Sequence, residues 1–332
     1  MGSAGLCTAM TSPLWGSLTH RFRPKLLYLR GLIVHLVTFF LMGFAEKLSI
    51  LLILRIIQGL LGGISTIGLI IVSSSYPKER IASNIGFYQS SITLGQLLGP
   101  LIGSLAAATM GYKGAFVSAS GVVFASFIFC RLYVKDIPRL SDETKTSGKT
   151  AVDRRVVMGW LLCFTAQTQL MFLPSILPKV FERFNIEQTQ ALKLAGMVVM
   201  LYVGSAMIGT YVWSLLSRRI GLYKMITLVS VGGILLQASF IFSKSVIDFT
   251  ILRVIQTGLV AATMPLVMSL FASELRGSTI GVLNSARFAG NALGPLIATS
   301  VLAFSGFTTL HLFISGLSLV AFLGFELVFK GR

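Results

Sequence analysis

The chain has 332 residues, of which 54% are hydrophobic and 12% charged, and its mean hydropathy is +0.83. A soluble fold of this size carries about twice that charge on its surface, so the composition excludes an ordinary globular domain. The net charge of +17 would suit nucleic acid, but the basic residues follow a membrane pattern that excludes that partner.

Apolar stretches of about 20 residues recur along the chain, each long enough to cross a bilayer. Eleven are predicted, at 2–18, 26–45, 49–73, 85–110, 115–134, 156–178, 195–216, 222–243, 249–272, 280–305 and 309–329. Lipid offers backbone groups no water to bond, so each stretch is expected to be a helix and the fold class all-α membrane protein. If the loop at 19–25 is cytoplasmic and the loops alternate, most Lys and Arg residues fall on that side. Only Lys47, Lys113, Lys179, Arg183, Lys193 and Lys244 lie opposite, while Arg55, Arg253 and Arg287 sit inside spans. This bias predicts a cytoplasmic C-terminus.

The first span runs into the loop Gly16-Ser-Leu18-Thr-His20-Arg21-Phe-Arg23-Pro24-Lys25. In the third span Arg55 is followed by Gln58, Gly59 and Gly63. An intramembrane arginine is costly and is expected to face a wet cavity or a partner. Two readings stay open for it: a clamp onto backbone carbonyls of another helix, or a cavity-lining coupling residue. The fourth span contains Gly95, Gly99, Pro100 and Gly103. Glycines four apart thin one helix face for close approach, and proline bends the helix, which together suit a helix that tilts.

Residues 135–155 are charged, contain Pro, Gly, Ser and Thr, and lack apolar periodicity, so they are expected to be a cytoplasmic linker. Residues 1–134 then form an N-terminal half and 156–332 a C-terminal half. Span 156–178 carries Gln167, Thr168 and Gln169, and Pro174 and Pro178 break it toward its end. A broken helix beside a cavity is a recurring binding-site device. Met171, Phe172, Tyr202 and Tyr88 are candidates for apolar walls, or for plain packing. Span 280–305 carries Asn284, Arg287 and Asn291, which lie within an arc of about 60° on one helix face. Glu326 is the only acidic residue well within a span, and is expected to reach the interface or pair with Lys330, four residues on.

The second half repeats the first. GFYQSSITLGQLLGPLIG at 86–103 reappears as GVLNSARFAGNALGPLIA at 281–298, which sets Gly290, Gly294 and Pro295 on Gly95, Gly99 and Pro100. Asn284 and Asn291 then fall on Gln89 and Gln96, and Arg253 and Gln256 repeat Arg55 and Gln58. A membrane unit repeated in the same order is a carrier architecture, with its site between the halves. The Gly-Pro span is fourth of five before the linker but fifth of six after it. The register therefore predicts one further helix ahead of residue 1.

These motifs resemble the major facilitator superfamily, over the second to twelfth helices of that fold. The loop at 16–25 is similar to the family's G-x-L-a-D-R-x-G-R-K loop. Gly16, Leu18, Arg21 and Lys25 fit; His20 replaces the aspartate, and Arg23 and Pro24 replace a glycine and an arginine. The aspartate's latch is therefore not expected here in its usual form. A weaker copy is Ser217-Arg218-Arg219-Ile220-Gly221. Arg55, Gln58, Gly59 and Gly63 resemble the family's helix-four motif, and Gly95, Gly99, Pro100 and Gly103 the helix-five motif of drug–proton antiporters. The resemblance implies alternating access by two halves, with Arg55, Gln167, Gln169, Arg253 and Gln256 near the cavity centre. It implies proton-driven export of small amphipathic or drug-like compounds by a monomer in the bacterial inner membrane. Carriage of a polar or anionic metabolite, or a truncated remnant that no longer transports, are the alternatives. Cys7, Cys130 and Cys163 lack metal-ligand spacing, and no catalytic grouping or P-loop is present. No enzyme, cofactor or metal is expected. The expected pathway residues are Arg55, Gln58, Gln89, Gln96, Gln167, Gln169, Arg253, Gln256, Asn284, Arg287 and Asn291.

Overall fold

The computed structural model describes residues 2–139, 153–184, 186–271 and 277–330. Part of the expected linker, residues 140–152, lies outside the described residues. The described residues are helical, without strands. The helices are α1 (Gly2–Ser17), α2 (Pro24–Met42), α3 (Leu48–Leu61), α4 (Ile64–Ser74), α5 (Lys78–Tyr133), α6 (Arg154–Met171) and α7 (Leu177–Glu182). There follow α8 (Gln188–Ile220), α9 (Leu222–Ser239), α10 (Val246–Val260), α11 (Thr263–Leu270), α12 (Gly277–Phe304) and α13 (Phe307–Phe329).

They account for the eleven expected spans. The third is α3 plus α4, broken at Gly63, where φ is +66°. The fourth and fifth run together in α5 and part at Gly111, where φ is +69°. A side chain would be strained at both places. Span 156–178 breaks as its prolines predict: α6 ends at Met171, and α7 opens with Pro178 in its first turn. There proline's missing N–H costs no helix bond.

The chain forms two compact units. The first comprises residues 1–77, 98–151 and 274–288. Its helices approach through small residues, as lipid-embedded helices do when packing rather than water drives association. Gly59 lies against the backbone of Ala4, Gly31 against that of Gly62, and Gly16 against that of Gly277. Ser12 Oγ donates to the Gly281 carbonyl at 2.8 Å and shares a hydrogen bond with Thr66 at 2.7 Å.

The second unit comprises residues 78–97, 152–273 and 289–332. The start of α5 packs on α8, with Gly86 against Ser214 and Ser90 Oγ donating to the Met207 carbonyl at 2.8 Å. Its core gathers Phe172, Leu173, Phe181, Phe240, Phe249 and Ile314. A backbone approach between Gly209 and Gly258 joins α8 to α10.

Candidate functional site

In the second unit the end of α6 leaves carbonyls with no partner along the helix. Arg253, on α10, is fully buried and meets them. Its Nη1 donates to the Gln169 carbonyl at 2.8 Å and its Nη2 to the Leu170 carbonyl at 2.8 Å. A cation at a helix C-terminus also complements the backbone dipole. The same Nη1 donates to Gln256 Oε1 at 2.7 Å, and the guanidinium lies 4.7 Å from the Tyr202 ring centre and 5.2 Å from that of Phe172. Of the two readings left open for Arg55, its repeat Arg253 takes the carbonyl clamp.

The network extends through amides. Gln256 Nε2 donates to Gln169 Oε1 at 3.1 Å and to Gln237 Oε1 at 2.5 Å. Gln237 Nε2 lies 2.9 Å from His311 Nδ1, and Gln169 Nε2 donates to Ser318 Oγ at 2.7 Å. Two residues before Gln169 on α6, Gln167 Nε2 donates to Asn291 Oδ1 at 2.7 Å. Gly290 makes this pairing of α6 and α12 possible: a methyl group there would stand 2.7 Å from Gln167 Cβ. A small cavity of about 10 Å³, bordered by Gln169, Ser230, Thr263 and Ser318, is of single-water size. The second unit thus holds a polar seam of amides, one arginine and one histidine inside an aromatic and aliphatic shell.

The first unit arranges its polar residues differently. Arg55 is exposed, and its Nη1 donates to Gln58 Oε1 at 3.1 Å, while Gln58 is buried. The break after α3 is satisfied by other side chains. Arg30 Nη2 donates to the Leu61 and Gly62 carbonyls at 2.5 and 3.2 Å and its guanidinium stacks 3.8 Å from the Trp15 ring centre. Trp15 Nε1 donates to the Leu60 carbonyl at 3.0 Å. Asn284 is fully buried and donates to Thr66 Oγ1 at 3.0 Å. Arg287 is also buried, its guanidinium 5.2 Å from the Phe288 ring centre. The polar stripe of α12 is therefore divided: Asn284 and Arg287 belong to the first unit, Asn291 to the second. Gln89 is buried and Gln96 exposed. Nothing lies within 4 Å of a side chain built at Gly95, Gly99 or Gly103, whereas Gly294 packs against the backbone at Thr168 and Phe172.

One expectation is corrected. Glu326 does not pair with Lys330; it accepts hydrogen bonds from Tyr223 at 2.5 Å and Thr227 at 3.1 Å, because the neighbouring α9 offers it hydroxyl donors. In the first loop, Arg23 forms an exposed ion pair with Asp136 at 2.7 Å, and Lys25 Nζ donates to the Arg131 carbonyl at 3.0 Å. The loop thus has a carboxylate partner that its own sequence lacks. Sequence reasoning missed Gln237, His311 and Ser318. Their only signal was polarity inside apolar spans.

A repeated helical bundle with polar seams buried inside its membrane spans defines a secondary membrane transporter. The chain belongs to the Major Facilitator Superfamily, whose family model matches residues 1–288. It is 27% identical over 319 residues to the multidrug resistance protein MdtG of Rahnella sp., covering 92% of this chain and 76% of that one. The Klebsiella pneumoniae MdtG is 25% identical over 324 residues, covering 95% and 79%. Among solved structures, the human organic anion transporter MFSD10 superposes with a TM-score of 0.79 at 19% identity, over 98% of this chain and 82% of that one. The transporter FucP in its outward conformation gives 0.75 at 16% identity, over 98% and 88%.

Proposed function

We propose that this chain exports small amphipathic compounds in exchange for protons, by alternating access of the halves 1–134 and 156–332 about a central pathway. The observation that carries the reading is the similarity to MdtG multidrug resistance proteins along more than nine-tenths of the chain. The buried seam from Gln167 to His311 supports it, because polar groups inside a membrane bundle mark pathways and relays. The pathway residues are Gln58, Gln89, Gln96, Gln167, Gln169, Gln256, Asn284, Arg287 and Asn291, with Arg55 and Arg253 on the helix-four and helix-ten faces. The protein acts as a monomer in a bacterial cytoplasmic membrane, C-terminus inside; a C-terminal fluorescent-protein fusion that stays dark would reverse that orientation.

The test is accumulation of ethidium in cells stripped of their own exporters. Cells expressing the chain should hold less dye than vector controls, and a protonophore should abolish the difference. Equal dye in both at confirmed membrane abundance would defeat the proposal. One observation favours a second reading, transport of anionic compounds. Among the described residues, the spans carry Arg55, Arg253 and Arg287, while their one well-embedded carboxylate, Glu326, is engaged by Tyr223 and Thr227. Carboxyfluorescein in place of ethidium decides between them.

A further inference from the structure

His311 is fully buried on α13. Four phenylalanines surround its ring, with centroids at 5.6 Å for Phe172, 4.9 Å for Phe240, 6.4 Å for Phe249 and 4.4 Å for Phe307. Its Nδ1 meets Gln237, and its Nε2 has no hydrogen-bond partner among the described residues. An orphaned buried nitrogen calls for an explanation.

The hydrogen-bond polarity of the whole seam follows from Arg253, which can only donate. It therefore holds the oxygen of Gln256, so the Gln256 amide nitrogen faces Gln169 and Gln237. Both neighbours must present oxygens to it. The Gln237 nitrogen is then turned to His311, whose Nδ1 must accept, and the ring is the neutral form protonated at Nε2. Gln169, oriented the same way, donates to Ser318 Oγ, which passes its own proton to the Ile314 carbonyl at 2.8 Å. No link in this chain can reverse alone.

We propose that His311 is a proton-binding site whose protonation releases the Arg253 clamp on the end of α6. An added proton converts Nδ1 from acceptor to donor, so Gln237 must turn its oxygen toward the ring. The Gln237 nitrogen then faces the Gln256 nitrogen, and one bond of the seam is lost. Gln256 either gives up Gln237 or turns and gives up Arg253. The charged groups facing the site are both cations: Arg253, which lies over Phe172, and Arg183, 4.3 Å from the Phe307 ring centre. Arg253 reaches the ring through the Gln256 and Gln237 amides and shares Phe172 with it, and Arg183 shares Phe307 with it. The new charge therefore repels Arg253, the residue that holds Gln169 and Leu170, while the Phe faces offer it cation–π contact. Proton uptake on α13 is thereby linked to the broken helix α6–α7. Its transport consequence rests on the exporter reading above, but proton binding itself is measured without transport, so the two can fail separately.

The test uses the purified full chain in detergent. Exchange of the imidazole carbon-bound hydrogen, followed by mass spectrometry, titrates each of the three histidines, and His311 should show its own midpoint. A flat profile for His311 overturns the proposal without any variant. Amide hydrogen exchange of residues 169–177, corrected for the intrinsic pH effect, should quicken several-fold across the His311 midpoint that the imidazole exchange reports. His311→Asn keeps an acceptor near Nδ1 but cannot titrate, and should make that segment indifferent to pH. Gln237→Met should do the same while His311 still titrates. A His311→Asn protein whose segment responds to pH as wild type does overturns the proposal, and so does a wild-type segment that does not respond.

Discussion

Arg253 on α10 and Arg55 on α3 occupy equivalent places in the repeat, yet their surroundings differ. Arg253 is sealed inside its unit and holds two carbonyls of α6. Arg55 is exposed; it donates to Gln58, three residues away on its own helix, and its guanidinium lies 6.0 Å from the Phe39 ring centre. The same contrast recurs in the Gly-Pro helices, where Gly290 and Gly294 press against α6 and Gly95 and Gly99 meet nothing. The lesson is that the motif supplies donors and a thin face, and the partner helix decides their use. In the second unit that partner is α6; in the first half Gln58 is buried and Gly59 meets α1, but among the described residues nothing stands within 4 Å of a side chain built at Gly95 or Gly99.

The largest expected effect comes from removing the buried arginine. Arg253→Met leaves the Gln169 and Leu170 carbonyls and the Gln256 oxygen without their donor, at a cost of about 3 kcal/mol or more, since each orphaned buried acceptor costs about 1–3 kcal/mol. Arg55→Met should cost about 1 kcal/mol or less, as exposed polar contacts do. Thermal unfolding in detergent compares them, and similar losses would mean that Arg55 is clamped as well.

Next comes Gly290→Leu. The first atom of the new side chain would meet Gln167 and the Phe164 carbonyl oxygen at 2.7 and 3.0 Å, and such overpacking typically costs about 1–3 kcal/mol. Gly95→Leu should be nearly silent. An equally damaging Gly95→Leu would show that a helix covers that face in the membrane, and would erase the contrast.

A smaller effect is expected for the Gln167–Asn291 hydrogen bond at 2.7 Å. A double-mutant cycle with Gln167→Leu and Asn291→Leu should give a coupling of about 1 kcal/mol. The matching first-half residue, Gln96, is exposed. The smallest loss is assigned to Trp15→Phe. It removes the indole bond to the Leu60 carbonyl but leaves Arg30 on the next two carbonyls, so about 0.5–1 kcal/mol is expected. A loss as large as that of Arg253→Met would make the first unit's clamp a tryptophan rather than an arginine device.

Much of the candidate site could be read in advance, for identifiable reasons. Arg253 and Gln256 lie three residues apart on a helix, so their pairing is local and follows from helical geometry. The break after Met171 follows from Pro174 and Pro178. Gln167 and Asn291 were each visible as polar residues in apolar spans, but their bond joins positions 124 residues apart. His311 is one of three histidines, at 20, 35 and 311, with nothing in its local sequence to mark it. Its aromatic cage is assembled from α13, α10 and the turns after α9 and α6. The partners of Glu326 could not be read locally, because Tyr223 and Thr227 stand on α9, about a hundred residues away in the chain.

The sequence by itself determined the class, the spans, the repeat and the family. Long apolar runs leave lipid-embedded backbone only one local solution, and glycine and proline mark where helices thin or break. Tertiary structure alone decided which of two matching arginines is buried, which glycine face is filled, and that an arginine, three glutamines and a histidine from different helices meet in one seam. Those outcomes depend on contacts between distant helices, where a donor-only group and close packing impose one orientation on every amide between them.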